Sequence, residues 1–217
     1  MIGSPLAPLV RIRRVELADG ALIERYASDS HIAASSHVPH PYPRGGGLAF
    51  AARAVGGWKD GSEHAFAVTV DEALAGLISV MAINRLRGSA QVGYWIAVPF
   101  WGRGVATRSL ALAVRFAFDE RRLVELGASC LAANPASARV LEKNGFVEQS
   151  PVVYKGPDRR FLGQQVRTFL LRQRVAGGWR EAGVRRVGEM IANIREKQAL
   201  PDDAGRVRRG WKKDLDS

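Results

Sequence analysis

The run Trp101-Gly102-Arg103-Gly104-Val105-Ala106-Thr107 constrains this chain more than any other segment. Before it lies a strand-like stretch from Ala90 to Val98, and after it Leu110, Val114 and Phe118 recur at helical spacing. A strand that turns into a helix through glycines lets a ligand approach the backbone closely. The free N–H groups of the helix start then point at whatever negative charge sits there. The run lacks the Gly-Lys-Ser/Thr ending of a P-loop, and a dinucleotide fingerprint would need a third glycine. A pyrophosphate fits these physical demands. So does a tight turn with no ligand, and the surrounding chain has to decide between them.

Towards the N-terminus, Val10, Ile12 and Val15 alternate with arginines as in a half-buried edge strand, and Leu22, Ile23 and Tyr26 suggest a helix. Residues 31–47 hold His31, His37 and His40, Pro39, Pro41 and Pro43, and Gly45, Gly46 and Gly47, which predicts a structured loop with a short helix at its start. A second helix is expected from Leu48 to Trp58. Phe66 to Val70 and Leu74 to Ala82 read as two strands of a hairpin turning at Asp71 and Glu72. Beyond the glycine run and its helix come a strand from Leu126 to Leu131 and a helix from Pro135 to Lys143. Asn134 supplies a cap, Pro135 the first helical position, and Asn144-Gly145 a left-handed stop. Strands Val152 to Tyr154 and Val166 to Leu171 close the core.

At 217 residues and 47% hydrophobic composition, the chain suits one domain plus an appended segment. The composition shifts past Arg174, so the expected division is a domain over 1–174 and a basic helical extension over 175–217. In the extension, Val184, Val187, Met190, Ile191 and Ile194 recur at three- and four-residue steps, as in a helix docked on the sheet or in a homodimer interface. Arg206 to Lys213, with Trp211 among basic residues, is the better nucleic-acid candidate. The extension contributes +3 of the formal net charge of +11, so basic character is spread over the chain and favours an anionic partner: nucleotide phosphates, RNA or an acidic surface. Cys130 is the single cysteine and has no neighbouring ligand set, so no metal site is expected. No apolar run approaches the roughly eighteen residues of a membrane span. Arg11, Arg13, Arg14, Glu16 and Asp19 interrupt the region where a signal peptide would need an apolar core, which predicts a cytoplasmic protein with no membrane partner.

Gly93, Tyr94, Trp95 and Ile96, then Trp101 to Thr107, then Asn134, Ser137, Val140, Leu141, Gly145 and Phe146 fall into one pattern. It resembles the GNAT superfamily of N-acetyltransferases, in the branch of the ribosomal-protein N-terminal acetyltransferases, and Pro39-His40-Pro41-Tyr42-Pro43 resembles a segment of that branch. The likeness covers roughly residues 10–174. It implies an α/β (α+β) fold with a mixed, mostly antiparallel central sheet flanked by helices, the acyl-CoA N-acyltransferase fold, here with a C-terminal helical appendage. It implies acetyl-CoA as co-substrate and no metal. By that resemblance the backbone amides of Trp101, Gly102, Arg103, Gly104, Val105, Ala106 and Thr107 take the coenzyme A pyrophosphate, and Ile96, Ala97 and Val98 pair with the pantetheine arm. An N–H of the same strand would meet the oxyanion. Asn134 and Ser137 match a second cofactor-contacting element.

The implied chemistry is direct attack of a neutral amine on a thioester. Ser137 is the candidate hydrogen-bond donor to the leaving thiolate, although its hydroxyl could instead serve its own helix. Related sequences place a carboxylate near Gln91, and glutamine cannot take the proton. Glu63, His64, Glu72 and His37 remain as candidate bases, while an α-amine of pKa about 8 is partly neutral at pH 7 and needs only a modest one. The acceptor is an amine of a protein N-terminus, a small molecule or an aminoacyl-tRNA, with residues 31–47 the best specificity element. The basic surface is compatible with RNA or ribosome association. A rival reading is a noncatalytic acyl-CoA-binding sensor or nucleic-acid-associated regulatory module, with Gln91 marking a lost base.

Overall fold

The computed structural model describes residues 9–175 and 178–179. The expected helix around Val187 to Ile194 and the basic stretch from Arg206 to Lys213 lie outside the described residues.

The main sheet has eight strands: β1 (Val10–Arg14), β2 (His64–Val70), β3 (Ala73–Asn84), β4 (Ser89–Ile96), β5 (Glu125–Leu131), β6 (Val147–Glu148), β7 (Val152–Val153) and β8 (Gln165–Arg172). Their spatial order is β1-β2-β3-β4-β5-β8-β6, with β7 also on β8. All pairs are antiparallel except β4 with β5. The helices are α1 (Gly20–Ala27), α2 (Ser30–Ser35), α3 (Gly46–Asp60), α4 (Val105–Arg115) and α5 (Pro135–Lys143). Two short strands, β9 (Arg174–Val175) and β10 (Gly178–Trp179), form a separate ribbon. The mixed, mostly antiparallel sheet flanked by helices is the architecture the sequence predicts.

Strand alternation sorts side chains between two cores. Phe66, Val68, Ile78, Val80, Val92 and Ile96 meet Leu110 and Ala113 of α4 and Leu141 of α5 on one face. Ala65, Ala67 and Leu77 meet Ile23 of α1 and Ala51 and Ala54 of α3 on the other. Small residues let α1 and α3 cross closely: a Cβ on Gly47 would lie 2.0 Å from the Gly20 carbonyl oxygen. The β2–β3 hairpin turns on Asp71 and Glu72 at φ 49° and 69°, the two-residue turn whose twist matches the strands. Helix α4 continues as a π-helical turn, Phe116–Glu120, that seats Phe116 and Phe118 in the core.

Candidate functional site

The site begins where two parallel strands part. β4 and β5 pair at only three positions, Ser89 with Glu125, Ala90 with Leu126 and Gln91 with Gly127. Beyond Gln91 both strands continue without each other, and a cleft of about 860 Å³ opens between them. One backbone bond identifies the groups that face it. The Ala97 N–H donates to the Ala75 carbonyl at 2.8 Å, so in the unbroken β3–β4 register Ala97, Trp95 and Gly93 turn their backbone groups toward β3. Tyr94 and Ile96 therefore turn theirs toward β5 and the cleft. The Ile96 carbonyl is already taken by the Trp101 indole N–H at 2.5 Å. The Tyr94 backbone and the Ile96 N–H thus remain on the cleft edge. Of the expected trio, Ile96 faces the cleft, Ala97 faces the sheet, and the Ala97 and Val98 carbonyls accept from Phe100 and Trp101 within the short turn Val98–Phe100.

The chain next reaches the glycine run. Gly102 and Gly104 both have φ +71°, the left-handed conformation that glycine adopts without strain. Gly104 is the residue before α4, and no side chain caps that helix start. The first N–H groups of α4, at Val105, Ala106 and Thr107, are thus left for a ligand. Trp101 is a correction, since its amide is bound to Val98, and the turn's own donors begin after it. Arg108 folds back so that its guanidinium donates to the Arg103 carbonyl at 2.6 Å, while its Nε is buried with no hydrogen-bond partner. The Arg108 guanidinium beside Gly104 adds positive charge to an uncapped helix start, which favours an anion there.

Across the cleft stands the start of α5. The Asn134 carboxamide accepts from the Ser137 N–H at 3.0 Å, the cap the sequence predicts, and also donates to the Ser35 carbonyl at 3.3 Å, tying α5 to the end of α2. Ser137 is then free of capping duty. Its hydroxyl lies 3.0 Å from the Tyr94 phenol, and Ser137 also hydrogen-bonds to Cys130. Burial pushes the Tyr94 phenol above its usual range against the opposing Ser137 bond, and burial likewise pushes the Cys130 thiol up. Both are protonated at neutral pH. In the sequence Tyr94 stands out only as part of the Gly93 to Ile96 motif. Its alternation with Val92 and Ile96 was the signal that it faces the same side as the helix bearing Ser137.

The four candidate bases separate. Glu63 and His37 line the cleft. His37 stacks on Tyr154 at 5.4 Å and edges onto Phe161, and Arg160 holds the same loop by donating to the Ala33 and Val38 carbonyls. His64 does not reach the cleft. It is 1% exposed in an aromatic nest with Trp58 and Phe116, neither ring nitrogen has a partner, and burial with help from Arg121 lowers its pKa to about 4. Glu72 sits at the hairpin turn, paired with Arg11 and outside the cleft lining. Gln91 is buried opposite Met81 and does not line the cleft either. Among the described residues no cluster of His, Cys, Asp or Glu could hold a metal ion, and no helix is long and apolar enough to cross a membrane.

The chain matches the acetyltransferase (GNAT) domain over residues 10–147. It is 33% identical over 79 residues to YdaF of Bacillus subtilis (strain 168), a match covering 36% of this chain and 43% of that protein. It is 28% identical over 82 residues to the ribosomal-protein-serine acetyltransferase of Escherichia coli (strain K12), covering 38% and 46%. The chain thus spans under half the length of either relative. In structure it resembles the spermidine N-acetyltransferase from Vibrio cholerae in complex with CoA and spermine, with a TM-score of 0.66, 23% identity, and coverage of 76% of this chain and 95% of that one.

Proposed function

This chain belongs to the GNAT acetyltransferase family, and we propose that it moves the acetyl group of acetyl-CoA to a primary amine, foremost the α-amine of a protein N-terminus. The observation that carries the reading is the parting of β4 from β5 immediately before a glycine-bounded, uncapped helix start. A thioester on a long polar arm needs that combination: donors for its pyrophosphate at one end and an open strand edge along its arm.

In this reading the amides from Gly102 to Thr107 hold the pyrophosphate with Arg103 and Arg108 beside it, and the Tyr94 and Ile96 backbone pairs with the pantetheine arm. Asn134 and Ser137 approach the cofactor from the opposite side. The amine nitrogen attacks the acetyl carbon, the new C–N bond forms, and the Ile96 N–H stabilises the oxyanion. The C–S bond then breaks, and the leaving thiolate accepts a hydrogen bond from the Tyr94 phenol, which burial keeps protonated, until it takes a proton from water. Ser137, the donor candidate of the sequence, orients that phenol through the 3.0 Å hydroxyl contact. The amine's proton leaves to water or to Glu63, a carboxylate in the cleft lining. The protein N-terminal acceptor draws support from the relative named as a ribosomal-protein-serine acetyltransferase. We assign the transfer to the domain over 1–174.

The test is release of free thiol from acetyl-CoA, with mass spectrometry of the acceptor, across N-terminal peptides and small amines. Acetylated acceptor formed in step with thiol supports the proposal. Binding of coenzyme A with no turnover on any acceptor favours the noncatalytic sensor instead.

A further inference from the structure

Resting on the transfer reading above, we infer that the acceptor is an amine carrying an anionic group close to its nitrogen, and not a polycation. The inference comes from two side chains in the lining of the cleft, Arg53 of α3 and Glu63 just before β2. Arg53 Nε and Glu63 Oε2 lie 4.0 Å apart, beyond hydrogen-bond reach. Arg53 Nε is buried and donates to nothing, while the guanidinium rests on the Phe50 ring at 4.9 Å. The side chains are 32% and 15% exposed, so a partly dry ion pair faces the cleft with no hydrogen bond between its members. Side by side, a guanidinium and a carboxylate complement a guest that presents an anion and an ammonium at the same short spacing. An α-amino acid does so through its own carboxylate, and a peptide does so through an acidic side chain at its N-terminus.

A polyamine meets the opposite situation. Glu63 is the single carboxylate in the described cleft lining, against Arg53, Arg139 and Lys143. Arg139 and Lys143 belong to α5 and suit the polyanionic donor. That leaves Glu63, with Arg53 beside it, and no further acid for a second or third ammonium. Like charges at short range in a partly dry cleft are repulsive, so the site selects against such a guest.

The experiment measures kcat/KM for peptides beginning with Asp or Glu, with Ser, and with Lys, for free aspartate and glutamate, and for spermidine, in the wild type, Arg53→Gln and Arg53→Glu. The acidic acceptors are expected to lead in the wild type and to fall about 10- to 100-fold in Arg53→Gln, as loss of a charge-assisted hydrogen bond dictates. Arg53→Glu is expected to invert the ranking toward Lys peptides and spermidine. Coenzyme A binding measured in parallel reports that each variant is folded. A peptide preference or a free amino acid preference both support the inference and tell the two sources apart. Wild-type preference for spermidine or Lys peptides, or an acid preference that survives both variants, overturns it while the transfer reading stands. Coenzyme A binding without thiol release from any acceptor overturns both.

Discussion

Replacing His64 with leucine, a side chain of similar volume, separates a core histidine from a catalytic one. In the folded chain the imidazole has a pKa of about 4, from burial first and then the nearby Arg121, Arg14 and Arg85. In the unfolded chain it returns to about 6.5. Protonation is therefore resisted only in the folded state, and between those values the unfolded chain binds more protons. Stability is full above pH 6.5 and falls as the pH drops toward 4. The difference of about 2.5 pKa units corresponds to about 3 kcal/mol in total, of which about 2 kcal/mol is lost by pH 5. Carboxylates held low by their partners, such as Asp19 beside Arg13, add their own acid losses, so the comparison with the variant is what isolates His64. Urea unfolding of wild type and His64→Leu at pH 7.5, 6, 5 and 4.5 supplies it. At pH 7.5 the variant should match the wild type within about 1 kcal/mol, because neither ring nitrogen makes a hydrogen bond that leucine would lose. By pH 5 it should be the more stable by about 2 kcal/mol. Parallel curves at every pH would refute the assignment of a buried neutral imidazole. Loss of acetyl transfer with stability intact would return His64 to the catalytic candidates.

Tyr94→Phe should lower kcat by about 10- to 100-fold, as loss of a hydrogen bond to the developing thiolate dictates, with coenzyme A affinity unchanged in calorimetry. Gly47→Ala places its Cβ 2.0 Å from the Gly20 carbonyl and 2.7 Å from the Glu24 amide nitrogen, so α1 and α3 must separate. It should cost about 1–3 kcal/mol by denaturant unfolding, whereas Gly56→Ala, with open space around its Cβ position, should cost nothing.

The strands and helices of 9–175 were largely legible because their periods are plain: alternation in Val10, Ile12 and Val15, three- and four-residue steps through Leu110, Val114 and Phe118. The cap at Asn134 and the turn at Asp71-Glu72 were legible because short-range chemistry decides them. What escaped depends on register. Ala97 and Trp101 read as ligand-facing backbone, but the Ala97 N–H donates to the Ala75 carbonyl and a three-residue turn takes the Trp101 amide, and no local pattern announces that. His64 and Glu63 are adjacent in sequence, yet one is sealed in the α4 side of the sheet and the other reaches the cleft, because neighbouring strand-end residues point to opposite faces. The hydroxyl pair of Tyr94 and Ser137 is separated by 43 positions and forms only when α5 is laid across the splayed strands.

Calorimetric titration of coenzyme A into the wild type and Gly104→Glu tests the central claim most directly. Gly104 needs φ +71° and adjoins the free amides of α4, with Arg108 3.7 Å from its Cβ position. A carboxylate there both strains the turn and repels a pyrophosphate. The account predicts binding in the wild type and at least a hundredfold weaker binding, about 3 kcal/mol, in a variant that melts within a few degrees of it. Equal affinity in the two proteins would contradict the claim that the glycine run beside the β4–β5 cleft holds the acyl donor.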